Sequence, residues 1–314
     1  MIVREAEIED IPAIVNVLKL SLGEQDLPLS KDIWNFKHVE NPFGKSMVFI
    51  AEENNQIIGV RAFMRWRWQL DDKELESFRA VDTATHPEHQ GKGIFKKLTM
   101  KAVEEAKLNG DYFIFNTPND QSRPGYLKMG WEAVNKLKVA LKPAYNSFWK
   151  INNKNFSYAV SINCKRSSIQ NLCTSWNKKL QLNQTLFTPK SELFLKWRYE
   201  ENPLQKYEVI ASTDYYIAVY IKKRKNLKEL RISECLYTDT SRSKISKLIS
   251  SLSKKFGAQI ISYSPELLSL GGNLLNANIG PILTIKNLNL STQENSDFNK
   301  IECWSYSLGD LELF

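Results

Sequence analysis

The residues with the clearest chemical potential are two glycines between a strand and a lysine-rich helix. The segment reads Val81-Asp-Thr-Ala-Thr-His-Pro-Glu-His-Gln-Gly-Lys-Gly-Ile-Phe-Lys-Lys-Leu98. This pattern predicts a strand, a turn and a helix whose first backbone amides have no partner within the helix. Such amides and the helix dipole bind anions, and Gly91 and Gly93 let a phosphate approach the backbone without a Cβ in the way. The loop is therefore predicted to hold a diphosphate.

Three lysines add positive charge around this loop. Lys92 lies between the two glycines, and Lys96 and Lys97 follow in the first helical turn. The loop is not a Walker A motif, which requires Gly-Lys followed by Ser or Thr, and it is not a dinucleotide fingerprint. A turn that binds no ligand is the structural alternative. The strand before the loop and the amphipathic helix after it favour the anion site.

At these residues the chain resembles the GNAT superfamily of N-acetyltransferases. The superfamily's pyrophosphate motif is Gln/Arg-x-x-Gly-x-Gly/Ala, and this chain reads Gln90-Gly-Lys-Gly93-Ile-Phe95, with Phe95 in place of the last small residue. The segment Tyr126-Leu-Lys-Met-Gly130-Trp131 matches the superfamily's Tyr-x-x-x-Gly-Phe/Trp pattern. The resemblance implies that the co-substrate is an acyl-CoA, either acetyl-CoA or 3-hydroxybutyryl-CoA.

The resemblance also implies which residues contact CoA. In the superfamily two adjacent strands splay, and the pantetheine arm lies between them. Asn116 resembles the residue whose amide often reaches that arm. The predicted cofactor-binding residues are Ala84, Thr85, Gln90, Gly91, Lys92, Gly93, Ile94, Phe95, Lys96, Asn116 and Asn119.

The predicted catalytic residues are Tyr126, Asp82 and His86. The superfamily's role for the tyrosine is to protonate the departing thiolate, and a phenol is protonated at neutral pH and can donate. Backbone amides near Ala84 and Thr85 would stabilise the oxyanion. Asp82 and His86 flank the predicted acyl position and are candidates for the base, with a water chain as the alternative. A packed aromatic is the alternative for Tyr126, and a structural salt bridge is the alternative for Asp82.

An internal repeat indicates a duplicated domain. Glu40-Asn-Pro-Phe-Gly-Lys45 reappears as Glu201-Asn-Pro-Leu-Gln-Lys206, with four of six positions identical, and the surrounding elements follow the same order. Such a repeat predicts duplication, with chance similarity as the alternative. We expect a catalytic domain over 1–145 and a second domain over 146–314 that has lost CoA binding, because Thr238-Asp-Thr-Ser-Arg-Ser-Lys-Ile245 contains no glycine.

The two copies of this hexapeptide carry a second resemblance, to tandem-GNAT N-acyltransferases of bacterial surface-polysaccharide pathways. Those enzymes acylate nucleotide-linked amino sugars, which implies a dTDP- or UDP-amino sugar as acceptor. Aromatic faces and cations would bind such an acceptor. The structural alternative is that the aromatic residues form a core and the cations lie on a solvated strand face. The predicted acceptor residues are Trp34, His38, Arg61, Arg65 and Trp66, with Trp68 beside them.

Hydrophobic periodicity and turn residues predict an α/β fold, a mixed sheet with flanking helices. The resemblance and the internal repeat imply two tandem GNAT-like domains. Asn54-Asn55 is predicted to turn between the second and third elements, and Pro143 to open a linker to the second domain. In chain order the predicted elements are a helix over 8–22, strands over 48–51, 56–68 and 78–85, a helix over 94–108, a strand over 112–116, a short helix over 123–129 and a strand over 137–141.

Composition limits the class of protein further. The chain has 314 residues, enough for two domains, and a formal net charge of +8, which favours polyanionic ligands. Its four cysteines form no CxxC pair and it has three histidines, so we expect reduced cysteines and no metal. The mixed N-terminal segment argues against a signal peptide, and no apolar run reaches the roughly 20 residues of a membrane span. By elimination we expect a cytoplasmic protein without membrane insertion.

Other functions stay open from the sequence. A Fem-like enzyme would take aminoacyl groups from tRNA, and a GNAT acetyltransferase could act on another amine. A basic nucleic-acid-binding module would show salt-dependent RNA binding without affinity for CoA; the glycine loop and Tyr126 favour the enzyme, with no nucleic-acid partner. The acyl chain, the sugar, the base and the oligomeric state are not determined by the sequence.

Overall fold

The computed structural model describes residues 1–22, 30–144, 156–224 and 227–311, and the chain divides into two compact units. Unit 1 comprises Met1–Trp68, Glu74–Val134 and Ile282–Lys300, and unit 2 comprises Gln69–Lys73, Asn135–Pro281 and Ile301–Phe314. Each unit therefore contains a segment from the other half of the sequence.

Helices and strands alternate along the described part of the chain. The helices are α1 (Ile11–Leu22), α2 (Lys31–His38), α3 (Ile94–Leu108), α4 (Arg123–Lys128), α5 (Arg166–Gln181), α6 (Glu192–Leu195), α7 (Arg242–Phe256), α8 (Thr292–Phe298) and α9 (Leu308–Leu311). The strands are β1 (Ile2–Glu5), β2 (Met47–Glu53), β3 (Gln56–Leu70), β4 (Lys73–Thr85), β5 (Phe113–Asn116), β6 (Glu132–Pro143), β7 (Val160–Ile162), β8 (Leu186–Phe187), β9 (Glu208–Ala211), β10 (Tyr215–Arg224), β11 (Leu227–Tyr237), β12 (Ile260–Tyr263), β13 (Leu275–Asn287) and β14 (Trp304–Ser305).

Unit 1 has a mixed sheet with the strand order β1-β2-β3-β4-β5-β13. Strands β4 and β5 run parallel, whereas β1/β2, β2/β3 and β5/β13 run antiparallel. Helix α3 packs its apolar face on this sheet, with Ile94 and Leu98 in one buried cluster with Phe49, Phe63 and Phe78. The cluster fixes the start of α3 at the end of β4.

Unit 2 has the strand order β13-β6-β12-β11-β10-β9-β7. It repeats the sequence of elements of unit 1: a strand, helices, three strands of which β9/β10 and β10/β11 are antiparallel, a long helix and then a parallel strand. The neighbour of that parallel strand comes from the other half of the chain in both units, β13 beside β5 and β6 beside β12. The predicted fold class, a mixed α/β sheet with flanking helices, is confirmed.

Most local predictions agree with the structure, and one fails for a tertiary reason. Helix α3 has the predicted bounds, and Asn54 and Asn55 turn the chain with φ of 51° and 58°. Pro143, however, is the last residue of β6 and pairs with Ile260, so it does not open a linker. A proline can end a strand because it need not donate to the ladder. The predicted domain boundary at residues 145/146 lies outside the described residues.

A buried cation and two buried carboxylates meet in the core of unit 2. Lys190 Nζ lies 2.8 Å from Glu234 Oε2 and 2.5 Å from Asp310 Oδ1, and each of these side chains is at most 1% exposed. Burial alone would lower the pKa of Lys190, but the two carboxylates outweigh it and raise this pKa. The ammonium therefore stays charged and pairs with both acids, while burial raises the pKa of Glu234.

Removing this cation should destabilise the protein. Lys190→Met leaves Glu234 and Asp310 buried without their ammonium partner, and we expect the free energy of unfolding to fall by about 3–5 kcal/mol. Lys196→Met is the control, because Lys196 is 42% exposed in its ion pair with Glu201 and an exposed pair contributes about 0–1 kcal/mol. Urea unfolding of the full chain measures both variants. Wild-type stability of Lys190→Met would contradict the role of this cluster.

Candidate active site

The glycine loop presents bare backbone to an open pocket. Gly91 and Gly93 have φ of 77° and 74°, a left-handed conformation that favours glycine. A Cβ at either position would meet no described atom within 4 Å. Helix α3 follows directly, and no side chain of the described residues caps its first turn. The amides of that turn can therefore donate to a ligand.

The pocket beside this loop brings together most of the predicted cofactor residues. It has a volume of about 290 Å³ and reaches from the end of β4 to the first turn of α3. Lys92 and Lys96 are exposed next to it. The predicted residues that line the pocket are Ala84, Thr85, Gln90, Gly91, Gly93, Ile94 and Phe95. Backbone amides, a helix N-terminus and two cations around one pocket suit a diphosphate.

Phe95 fits the first turn of α3 because α4 makes room for its ring. The ring contacts the Tyr126 ring edge-on, with 5.7 Å between the centroids. A Cβ at Gly125 would lie 3.4 Å from Phe95 Cε1, so the glycine in α4 receives the large side chain. The departure from the superfamily's motif is thus accommodated on the helix side of the loop.

Tyr126 lies at the junction of α3 and α4. Its side chain is 4% exposed and packs edge-on against Trp131, with 5.2 Å between the centroids. The backbone carbonyl of Tyr126 accepts a hydrogen bond from the Trp131 amide, and Gly130 turns the chain there with φ of 83°. The Tyr-x-x-x-Gly-Trp segment is therefore one compact turn that fixes the tyrosine beside the loop.

Strand β4 pairs with β5 over a short stretch that ends at Arg79 and Phe115, whereas β4 itself continues to Thr85. Asn116, at the end of β5, is buried, and its Oδ1 accepts a hydrogen bond from Thr284 Oγ1. Asn119 Oδ1 accepts from the Ser122 amide and hydroxyl, both at 2.9 Å, just before α4. The structure therefore gives Asn119 a role in forming this turn.

Arg61 does not face an acceptor surface, and its prediction as an acceptor residue is wrong. It is fully buried, and its guanidinium lies over the rings of Phe63, Phe95 and Tyr126 at 4.7, 5.7 and 5.3 Å. Such contacts partly offset the cost of burying a cation. The charge thus lies beneath the first turn of α3, where it adds to the positive field of the predicted phosphate site.

The other cation and the indoles of β3 are also structural. Arg65 forms an ion pair with Asp111 and lies 3.8 Å over the Phe78 ring. Trp66 and Trp68 are fully buried, and both contact Phe115 edge-on. These indoles therefore form an aromatic core, the alternative to acceptor binding, because both faces of β3 are covered.

Asp82, a predicted base, lies in an ion pair and is half-buried, with 23% of its side chain exposed. Its Oδ2 is 2.7 Å from both Lys37 Nζ and His38 Nε2. Burial opposes ionisation of this carboxyl, but Lys37 and His38 outweigh it and hold the pKa of Asp82 well below its usual range. A carboxylate that ionises so readily accepts a proton poorly, so Asp82 alone is a weak base. Lys37 was not among the predicted site residues, because no local sequence pattern links residue 37 to residue 82.

His86 contributes to the turn that follows β4. Its Nδ1 accepts a hydrogen bond from the Glu88 amide at 3.4 Å. The pocket beside the glycine loop is lined by His89 and not by His86. Possible ligand atoms of His86, Glu88 and His89 lie within 4.8 Å of one another. The ammonium of Lys92 lies 3.3 Å from His89 Nδ1, and a positive charge at that distance opposes the binding of a metal ion.

Known proteins share this domain and fold. Residues 2–134 match the family model of the acetyltransferase (GNAT) domain. The L-amino acid N-acyltransferase MnaT of Escherichia coli (strain K12) is 32% identical over 68 residues, which cover 21% of this chain and 36% of that protein. The chain thus spans about a third of the length of this relative.

Two solved structures resemble most of the chain. A conserved protein of unknown function from Enterococcus faecalis V583, a probable N-acyltransferase, has a TM-score of 0.68 at 10% identity and covers 91% of this chain and 72% of its own. A GCN5-related N-acetyltransferase from Anabaena variabilis ATCC 29413 has a TM-score of 0.63 at 13% identity and covers 92% and 73%. At these identities the likeness is one of fold.

Residues 2–134 therefore resemble a GNAT acetyltransferase domain, and the solved structures share the fold of most of the chain. Among the described residues, no helix is long and apolar enough to cross a membrane.

A negative charge in the glycine loop should weaken CoA binding. Gly93→Asp places a carboxylate where the diphosphate is expected, and we expect the Kd for CoA to rise at least 10-fold, about 1.4 kcal/mol. Gly93→Asn is the matched control, since Asn has nearly the same shape and also tolerates a left-handed backbone. Calorimetric titration measures the Kd, and circular dichroism checks the fold. Equal Kd values for the Asp variant and the wild type would contradict the phosphate site.

Proposed function

We propose that the chain transfers an acyl group from acyl-CoA to the primary amine of a small molecule by direct attack. The observation that carries this proposal is the pair of left-handed glycines, which open onto the uncapped amides of α3 beside the end of β4. In the reaction the amine nitrogen bonds to the thioester carbon, the C–S bond breaks, and the CoA thiolate leaves.

Each part of the pocket has a role in this reaction. The amides of the first turn of α3, with Lys92 and Lys96, hold the diphosphate. Backbone amides at Ala84 and Thr85 stabilise the oxyanion as the carbonyl becomes tetrahedral. The Tyr126 hydroxyl protonates the departing thiolate.

We propose a single CoA site, in the domain of residues 1–145, and a degenerate GNAT-like domain over 146–314. In unit 2 the segment before α7 is occupied by its own contacts. Ser241 Oγ donates to the Asp214 carbonyl at 2.9 Å, and Lys244 pairs with the Asp214 carboxylate at 2.7 Å. A carboxylate beside the helix start repels a phosphate, which supports the loss of CoA binding.

For the acceptor, we propose a nucleotide-linked amino sugar of surface-polysaccharide synthesis, acylated in the cytoplasm. A cleft of about 530 Å³ in unit 1 supports an acceptor of this size. It is lined by Trp34, which offers an aromatic face, and by Lys31 and Lys45, which offer cations for a diphosphate among the carboxylates of Glu5, Glu7 and Glu40. An L-amino acid is the second candidate, because the similar Escherichia coli protein is an L-amino acid N-acyltransferase.

An acceptor panel separates these two candidates. With acetyl-CoA and 3-hydroxybutyryl-CoA as donors, we expect kcat/KM for dTDP- or UDP-amino sugars to exceed that for free amino sugars and L-amino acids at least 10-fold, since the nucleotide adds contacts in the cleft. Release of CoA thiol measures the rate, and the Gly93→Asp variant provides the background. Thiol release with L-amino acids but not with nucleotide-linked sugars would identify the second candidate.

The Tyr126 hydroxyl should matter in the transition state more than in the ground state. Tyr126→Phe is expected to lower kcat about 100-fold, the lower end of general-acid effects, with little change in the KM for acyl-CoA. The lower end applies because the CoA thiolate is already a fair leaving group. Steady-state kinetics at saturating acceptor measure both constants. If the folded variant were fully active, Tyr126 would serve only in packing.

A further inference from the structure

A chain of short hydrogen bonds links the half-buried Ser46 to the half-buried Asp82. Ser46 Oγ lies 2.8 Å from His38 Nδ1, and His38 Nε2 lies 2.7 Å from Asp82 Oδ2. The Ser46 amide also donates to the His38 carbonyl at 2.9 Å, so two contacts hold the serine against the histidine. The Trp34 ring, one turn earlier on α2, lies 4.0 Å from the imidazole between centroids. The imidazole is therefore held in one orientation.

The charges around His38 determine where its proton lies. Burial lowers the pKa of His38 and outweighs the opposing effect of Asp82, so the ring is neutral at pH 7. Since Asp82 is ionised, Nε2 must carry the ring proton and donate it to the carboxylate. Nδ1 is then an acceptor, and the Ser46 hydroxyl donates to it.

The serine end of this chain faces the acceptor cleft. Ser46 and His38 both line the cleft, although His38 is only 2% exposed, whereas Asp82 does not line it. At the other end of the chain, Asp82 is followed by Thr83, which lines the pocket beside the glycine loop. The hydrogen-bond chain thus connects the acceptor cleft with the strand that borders the CoA pocket.

The equivalent positions of unit 2 provide an internal comparison. Aligned on the repeated hexapeptides, His38 corresponds to Tyr199 and Ser46 to Tyr207. Tyr199 Oη donates to the buried carboxylate of Glu234 at 3.2 Å, and the two tyrosine rings contact each other edge-on at 5.2 Å. Both tyrosines are at most 4% exposed. The contact with an acid is therefore kept, but the imidazole and the accessible hydroxyl occur only in the unit that carries the glycine loop.

We infer that Ser46 and His38 are the base of the acyl transfer. The inference rests on the proposed function and names its base. As the amine nitrogen bonds to the thioester carbon, its surplus proton passes to Ser46 Oγ, and the proton of Ser46 passes to His38 Nδ1. Asp82 stabilises the resulting imidazolium, and Lys37 keeps Asp82 ionised. The imidazolium later returns its proton to solvent, and Tyr126, which gave its proton to the CoA thiolate, regains one from solvent. The products are the amide and the CoA thiol, and both the histidine and the tyrosine are neutral again.

Other charged groups act on His38 and on the cleft. Lys37 on α2 and Asp82 on β4 act directly on the imidazole. The charged residues that line the cleft are Glu5, Glu7, Lys31, Glu40 and Lys45. These cleft charges are of mixed sign, and the charged groups that shift the pKa of His38 are its direct neighbours Asp82 and Lys37.

The test compares pH profiles of variants at saturating acyl-CoA and acceptor. In the wild type, kcat should fall on acidification with a midpoint below the usual histidine value of about 6.5, and the midpoint should be the same for two acceptors of different amine basicity. Ser46→Ala should lower kcat about 100-fold and abolish this acid limb, with an unchanged KM for acyl-CoA. His38→Gln should do the same, and Ser46→Thr, which keeps the hydroxyl, should restore most of the rate.

The control is Ser77→Ala, which removes another serine hydroxyl of unit 1. This buried hydroxyl donates to the Trp66 carbonyl at 3.1 Å, and its loss should leave the pH profile unchanged. A second readout needs no acceptor. The chain has three histidines, so nitrogen NMR should resolve His38 as the Nε2–H tautomer, with an Nδ1 signal that shifts in Ser46→Ala while His86 and His89 stay unchanged.

The outcomes separate the two proposals. Suppose that the wild type releases thiol and that Ser46→Ala keeps full activity and the fall of kcat on acidification. This result would overturn the proton relay through Ser46 and His38 but not the proposed function. An Nδ1–H tautomer of His38 in the wild type would also overturn it, because Nδ1 could then accept no proton. Absence of thiol release by the wild type with every amine would overturn the proposed function and the relay with it.

Discussion

The first turn of α3 is the constraint on which the rest of unit 1 depends. Its amides must stay uncapped to bind an anion, so this helix lacks the side-chain cap that stabilises many helices. It is held by its apolar face instead. Gly59 makes this possible, since a Cβ there would lie 2.6 Å from Ile94 Cγ2. The helix start therefore presses directly onto β3, and the left-handed Gly93 leads into it without placing a side chain in the pocket.

Electrostatics near the pocket follow from the same arrangement. An anionic co-substrate is favoured by the helix dipole, the exposed lysines and the buried Arg61, whereas the ionised Asp82 on β4 would oppose it. Lys37 compensates that carboxylate at 2.7 Å. The positive field of the loop is thus preserved, and a carboxylate remains available to orient His38.

The two units use one order of elements for different purposes. In both, an ammonium pairs with an acid on the third strand of the repeated order, Lys37 with the half-buried Asp82 and Lys190 with the buried Glu234. In unit 1 the acid connects through an imidazole to a hydroxyl in an open cleft. In unit 2 buried tyrosines and a second carboxylate, Asp310, fill that space. These buried side chains in unit 2, and the absence of glycine from 238–245, support the proposal that this unit does not bind CoA.

The sequence by itself determined the loop and its helix, because both depend on neighbouring residues. Two glycines, a helical period from Ile94 to Leu108 and a turn at Asn54-Asn55 express local backbone preferences, and the structure has each of them where it was predicted. Burial of Arg61 and Trp66 was decided only by the tertiary structure, since the β3 sequence alone does not show that both faces are covered. The same holds for β6, whose end pairs with residues more than 100 positions away, and for the contact of His38 with Asp82, 44 positions apart. Contacts between distant residues depend on which elements pack together, and no local pattern encodes that choice.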